Sequence, residues 1–361
     1  MNIYNTMITA DYCPDWTRLD VAREYLTNAL DSPQNWEVTF DDKGAMYIRS
    51  LNTKLHPSVL ALGVSSNRDD SSAVGTHGEG LVVSMAVALR EGLDLIFYND
   101  DRDWTPKFEH HPQFDKEVLV IYATPTETYN EESFIVKISG YTEDELEEIT
   151  KRCLYLQKDE TLGKVGTCHM GRVLFDKKGD LYVGGVWVTK TNLDYTYDFN
   201  PEFLHLNRDR KTVEHWDLKT SVAKIQQLVS APEFVAKLVE EKSIDVDYLQ
   251  YTPVTKAIKD ECFKLYQNKY DGKMLASSQT EVSTKEAEGY SNLIVENDTF
   301  SGVVQSSEGY KAIEFERDQS TPVSSVEELL IKMSTISKAK SIEAVGELLD
   351  TFKRRGVKWG K

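Results

Sequence analysis

Glu24-Tyr-Leu-Thr-Asn-Ala-Leu-Asp31 is the stretch on which the fold turns. At about 100° per residue its three polar side chains, Glu24, Asn28 and Asp31, fall on one side of a helix. Leu19, Ala22, Leu26, Ala29 and Leu30 recur on the other side. Thr17, followed three residues later by Asp20, has the form of a capping box, so the spacing predicts a helix from about Thr17 to Asp31. A carboxylate and an amide on one face are donors that a magnesium triphosphate needs, the amide oxygen to ligate the metal and the carboxylate to orient a water. Any amphipathic helix has a polar face, so this one gains meaning only from what it meets.

Downstream, a polar loop from Ser65 to Ser72 leads into Val74-Gly-Thr-His-Gly-Glu-Gly80-Leu81 and then a small-residue, apolar helix ending near Gly92. Glycines let backbone N–H groups approach phosphate oxygens, and a helix N-terminus adds a favourable dipole. No Lys-Ser or Lys-Thr follows the last glycine, which excludes a Walker loop, and no strand directly precedes the run as in a Rossmann fingerprint.

Around these pieces lie Trp36–Phe40 and Ala45–Ser50, two strands joined by the turn Asp41-Asp-Lys-Gly44. Further strands are predicted near 93–98, 118–123 and 134–139, and Thr142 with Glu145 opens an acidic helix. The pattern predicts an α/β fold: helices on one face of a mixed, mostly antiparallel sheet, a two-layer α/β sandwich over residues 1–158. β periodicity returns from Gly171 to Val188, with a turn at Asp176–Asp180, and marks a second α+β domain over 159–250. Residues 251–361 read as a small C-terminal α/β-to-helical region, with strands at Met274–Ala276 and Leu293–Val295 and two amphipathic helices over 326–355.

The helix Glu24–Asp31 resembles the N-box (E-x-x-x-N-x-x-D) of the GHKL, or Bergerat-fold, ATPases, and Gly75–Gly80 resembles their G2 box (G-x-x-G-x-G). The order of the two and the helix after the glycines also match. Leu62–Ser65, Arg68–Asp70, Trp104–Pro106, Gly184-Gly185 and Leu206–Arg210 resemble a less studied bacterial and phage group of the same superfamily. Together the resemblance spans residues 15–220. It implies a Bergerat sandwich followed by a transducer-like domain. It also implies ATP and Mg2+ as cofactors, Glu24 as general base, Asn28 as magnesium ligand with Asp31 beside it, and phosphate wrapping by Gly75, Thr76, His77, Gly78 and Gly80. Arg68 stands where the lid offers a cation to the γ-phosphate, or is a surface arginine beside Asp69 and Asp70. Lys190, Arg208 and Arg210 are candidates for a cation from the second domain, with ion pairing as the alternative for the last two.

The base end departs from that pattern. The family's G1 box (D-x-G-x-G) falls on Ser50-Leu-Asn52-Thr-Lys54, with serine for the adenine-binding aspartate. A serine hydroxyl can bond a purine edge but lacks the charge-assisted acceptor.

Bulk properties narrow the partners. A net charge of −17 repels nucleic-acid backbones, so DNA is not the expected ligand. Cys13, Cys153, Cys168 and Cys262 show no CxxC spacing and read as reduced thiols. No signal peptide or membrane span is recognisable, which points to the cytoplasm, or a host cytoplasm for a phage-encoded chain. The expected function is a Mg-ATP-binding protein that hydrolyses slowly and uses lid closure as a switch, with an unidentified protein partner and a homodimer as expectations. The alternative is a non-catalytic interaction protein on the same scaffold.

Overall fold

Asp20 accepts hydrogen bonds from the Thr17 backbone N–H (2.8 Å) and hydroxyl (3.0 Å), and from this cap the first helix, α1, runs over Arg18–Leu30. Val21, Ala22, Tyr25, Leu26 and Ala29 are its buried apolar residues. The computed structural model describes residues 1–31, 36–61, 79–126, 133–206, 213–270 and 272–316. The chain forms two units, 1–229 and 230–361.

The first unit begins with β1 (Asn2–Thr9) and α1, followed by β2 (Trp36–Phe40) and β3 (Met46–Leu51). The β2–β3 turn closes because Asp41 Oδ1 accepts from the N–H groups of Lys43 and Ala45 (2.9 Å each) while Gly44 takes φ +76°. Next come α2 (Gly80–Arg90), β4 (Asp94–Asn99), β5 (Arg102–His111), β6 (Lys116–Pro125), β7 (Ser133–Ser139) and α3 (Glu143–Lys151). The seven strands form one sheet in the order β1-β6-β5-β4-β7-β3-β2, and every pairing in it is antiparallel, where the sequence suggested a mixed sheet.

Alternation sets the faces of that sheet. Met46 and Ile48 on β3, Leu95 and Phe97 on β4, and Val136 and Ile138 on β7 are buried in one cluster with Val21 and Tyr25 of α1 and Val83, Met85 and Val87 of α2. The helices cover one face, and the result is the two-layer α/β sandwich expected.

Two strands escaped prediction here. β1 is an edge strand with Ile3 and Met7 exposed, so its apolar alternation is weak. β5 contains Pro106 among charged residues, and it tolerates the proline because β4 pairs only with Arg102–Trp104.

After a short α4 (Asp159–Leu162), a five-stranded sheet is built from β8 (Val165–Cys168), β9 (Gly171–Leu174), β10 (Asp180–Val183), β11 (Val186–Lys190) and β12 (Thr196–Phe199). Its order is β11-β10-β12-β9-β8, so the turn at Asp176–Asp180 does not join neighbouring strands. β12 inserts between β9 and β10, antiparallel to the first and parallel to the second. Asp198 of β12 accepts from Arg172 of β9 (2.6 and 3.0 Å) and from the Gly185 N–H (2.7 Å), which satisfies a buried carboxylate where the strands cross. The unit closes with α5 (His215–Val229), packed on β8 and β9.

The second unit holds α6 (Pro232–Glu240), α7 (Lys256–Tyr270), β13 (Met274–Ala276), α8 (Gln279–Ala287), β14 (Leu293–Val295), α9 (Asp298–Gln305) and α10 (Glu308–Lys311). The two strands pair in parallel through the α8 crossover, as the C-terminal α/β reading expected. The helices expected over 326–355 lie outside the described residues. Among the described residues no helix is long and apolar enough to cross a membrane.

Candidate nucleotide site

α1 presents Glu24, Asn28 and Asp31 along one side, and the three differ in exposure. Glu24 is 2 % exposed, Asn28 is exposed, and Asp31 is half-buried at the C-cap. A buried carboxylate needs compensation. Arg23 provides part of it, with Nη2 at 3.2 Å and Nε at 3.4 Å from Glu24 Oε1, while its Nη1 reaches Asp20 Oδ1 at 3.0 Å. The Arg23 guanidinium also stands 5.5 Å from the Trp16 ring centre.

The other oxygen of Glu24 faces the start of α2. A Cβ built on Gly80 would overlap Glu24 Oε2 and stand 3.4 Å from Cδ, so any side chain there would have to push the Glu24 carboxylate aside. Tyr25 Oη donates to the Leu81 carbonyl (3.4 Å) across the same junction, and within α2 Ser84 Oγ donates to the Gly80 carbonyl (2.6 Å). The last glycine of the run therefore meets the first residue of the helical motif. Arg68, Gly75, Thr76, His77 and Gly78 lie outside the described residues.

Thr27, one turn from Glu24, is fully buried, and its Oγ1 has no hydrogen-bond partner among the described residues. An orphaned buried hydroxyl is costly, so it marks a place where a polar partner would be welcome. Sequence reasoning missed Thr27 because a threonine in an amphipathic helix carries no signal of its own.

Ser50 is buried on β3, on the same helix-facing side as Met46 and Ile48. It pairs in register with Phe134 of β7, which in turn pairs with Asn99 of β4, so the three form one rung across the sheet. The next turn of chain is held by Asn99, whose amide accepts from the Leu55 N–H and donates to the Leu55 carbonyl, each at 2.9 Å. Asn52 takes φ +50°, a left-handed conformation that asparagine tolerates better than most residues. The place where the family pattern has its first G1 glycine thus keeps a glycine-like backbone under an asparagine. Lys54 ion-pairs with Asp100. Lys190 stands on the edge strand β11, exposed and paired with Asp180 at 3.0 Å.

A cavity of about 420 Å³ lies on the opposite flank of α1, lined by Leu19, Ala22 and Leu26 rather than by Glu24 or Asn28. It is a separate feature from the Glu24–Gly80 junction.

No protein-family model matches the chain, and no curated protein matches it. Among solved structures it is similar to the B-subunit of the DNA gyrase from Myxococcus xanthus, with 13% identity and a TM-score of 0.29 over 64% of this chain and 90% of that one. A similarity this loose carries no argument about fold or function.

Proposed function

We propose that the first unit binds a magnesium nucleotide against the polar side of α1, as a GHKL-type ATP-binding protein with slow hydrolysis and lid closure as its switch. The observation that carries this reading is the abutment of Gly80 on Glu24, which joins the two motifs from separate parts of the sequence. Asn28 offers a neutral amide oxygen on an exposed face, a donor suited to Mg2+, and the Gly80 backbone comes close enough to Glu24 to exclude a side chain between them. Bound Mg-ATP would supply the phosphoanhydride bond and the metal charge.

On this reading Asn28 ligates the metal. The Glu24 carboxylate, held by Arg23, orients a water and takes its proton. Gly75, Gly78 and Gly80 offer backbone N–H groups to phosphate oxygens, with Thr76 and His77 between them and Arg68 as a lid cation. Ser50 offers a hydroxyl to a purine edge in place of the aspartate, and the Thr27 hydroxyl is a second candidate partner. Lys190 would have to leave Asp180 to reach a phosphate.

Two observations favour the non-catalytic alternative: an oxygen of Glu24 is already engaged by Arg23, and serine stands at the position of the family's base-reading aspartate. Melting curves with Mg-ATP, Mg-ADP and Mg-GTP test binding, since ligand at a hundredfold excess over Kd stabilises by about 2.7 kcal/mol. No shift with any of the three overturns the reading. Glu24→Gln separates the alternatives: an ATPase loses turnover and keeps the shift, whereas a non-catalytic binder has no turnover to lose.

A further inference from the structure

We propose that the cavity between α1 and β11 is a binding site for an aliphatic monocarboxylate, independent of the nucleotide reading. Its volume, about 420 Å³, falls in the range of small-molecule sites and is too small for a protein segment. The walls are Leu19, Ala22 and Leu26 of α1, Ile149 of α3, and Val186 and Val188 of β11. These are branched or small aliphatic surfaces. The one aromatic face at the cavity, Trp187, is covered by the Arg152 guanidinium at 4.4 Å, so the walls suit a flexible hydrocarbon chain better than a flat ring.

The walls are fixed before any ligand arrives. The Trp187 N–H donates to the Arg152 carbonyl at 2.8 Å, and Cys153 bridges to Val186. Tyr182 Oη donates to the Lys151 carbonyl at 3.0 Å. The end of α3 is thereby tied to the strand that it faces across the cavity.

Charge selects the head group. Asp20 is saturated by Thr17 and Arg23, and Arg23 is in turn committed to Asp20 and Glu24, so neither offers a net charge to a ligand. Arg152 differs. Its charge is shared with Glu148, which holds Nε at 2.7 Å, and its plane rests on Trp187, but among the described residues no hydrogen bond occupies its two Nη groups. Arg152 lines the cavity, and the paired Nη groups of a guanidinium have the planar geometry that takes a carboxylate bidentately. A cationic head would face this guanidinium.

Calorimetric titration of the full chain with octanoate tests the proposal, with n-octylamine as the charge-reversed probe and acetate as the head group alone. Octanoate is expected to saturate one site, with both comparators about tenfold weaker or more. Arg152→Gln should weaken octanoate by about tenfold, the loss of one charge-assisted pair, while leaving the melting temperature nearly unchanged. Ala22→Leu should narrow the cavity and weaken octanoate binding. Absence of saturable binding, equal affinity for octylamine, or undiminished octanoate binding in Arg152→Gln would each overturn the assignment. Because Arg152 is half-exposed, its variant decides the matter even if the Ala22 variant fails to fold.

Discussion

Gly80 lies against the carboxylate of Glu24, with no room between them for a methyl group. Gly80→Ala must therefore displace a side chain that Arg23 holds by its other oxygen. The expected cost is about 1–3 kcal/mol, the range for overpacking a close contact, read as a lower urea midpoint. Shortening the acid with Glu24→Asp in the Gly80→Ala background should recover part of the loss. An unchanged midpoint in Gly80→Ala would show that the contact is slack.

Asn99 satisfies both backbone groups of Leu55 from a strand that the Leu55 loop does not join. Asn99→Ala leaves a donor and an acceptor without partners, at a cost of about 2–3 kcal/mol. The same variant should weaken any nucleotide-dependent stabilisation, because the loop beginning at Asn52 loses its anchor. Urea denaturation with and without Mg-ATP measures both effects, and a variant with wild-type values in both would refute the anchoring role.

The four cysteines should divide into two classes. Burial pushes the Cys153 thiol up to about 11 and the Cys262 thiol up to about 12, and both side chains are fully enclosed. Cys13 and Cys168 are half-buried. Iodoacetamide on the native protein is expected to modify Cys13 and Cys168 while sparing the other two, since the thiolate is the reactive form. Peptide mass mapping reads this directly, and early labelling of Cys153 would contradict the packing around it.

Acid should loosen the β2–β3 turn. The Ala45 N–H holds the Asp41 carboxyl below its ordinary value of 3.8, against an opposing effect of desolvation, with the Lys43 N–H, the Tyr47 hydroxyl and Lys137 adding to it. A depressed value in the folded state means that the contribution is present above the ordinary value and is lost as pH falls through the lower, folded one. Asp41→Asn should flatten that part of the acid limb of a melting-temperature profile, and an unaltered limb would exclude Asp41 as a contributor.

Legibility in the sequence followed the range of the interactions involved. α1, the β2–β3 hairpin and the Thr142 cap are specified by residues within one or two turns of each other, and all three stand where spacing placed them. β12 could not be placed from periodicity, because its position between β9 and β10 depends on pairings on both sides. In the candidate site, the angular spacing of Glu24, Asn28 and Asp31 was readable, and so was the glycine run. The clasp of Arg23 on Glu24 was not, because neighbours at i and i+1 on a helix point about 100° apart and meet only when burial bends a long side chain back. Asn99 was invisible for another reason. Its partner is 44 residues away and reaches it only through the order β4-β7-β3.

The pairing of β1 with β6 has a consequence for how the chain is made. Asn2 lies opposite Ala123, so β1 leaves the ribosome well before the strand that completes its ladder. Translation at about 5–20 residues per second separates their emergence by roughly ten seconds. Through that interval Ile3 and Met7 trail on an unzipped ribbon. Any nascent fragment ending before Lys116 carries β1 without its partner, open to capture by chaperones or by another copy's vacant sheet edge.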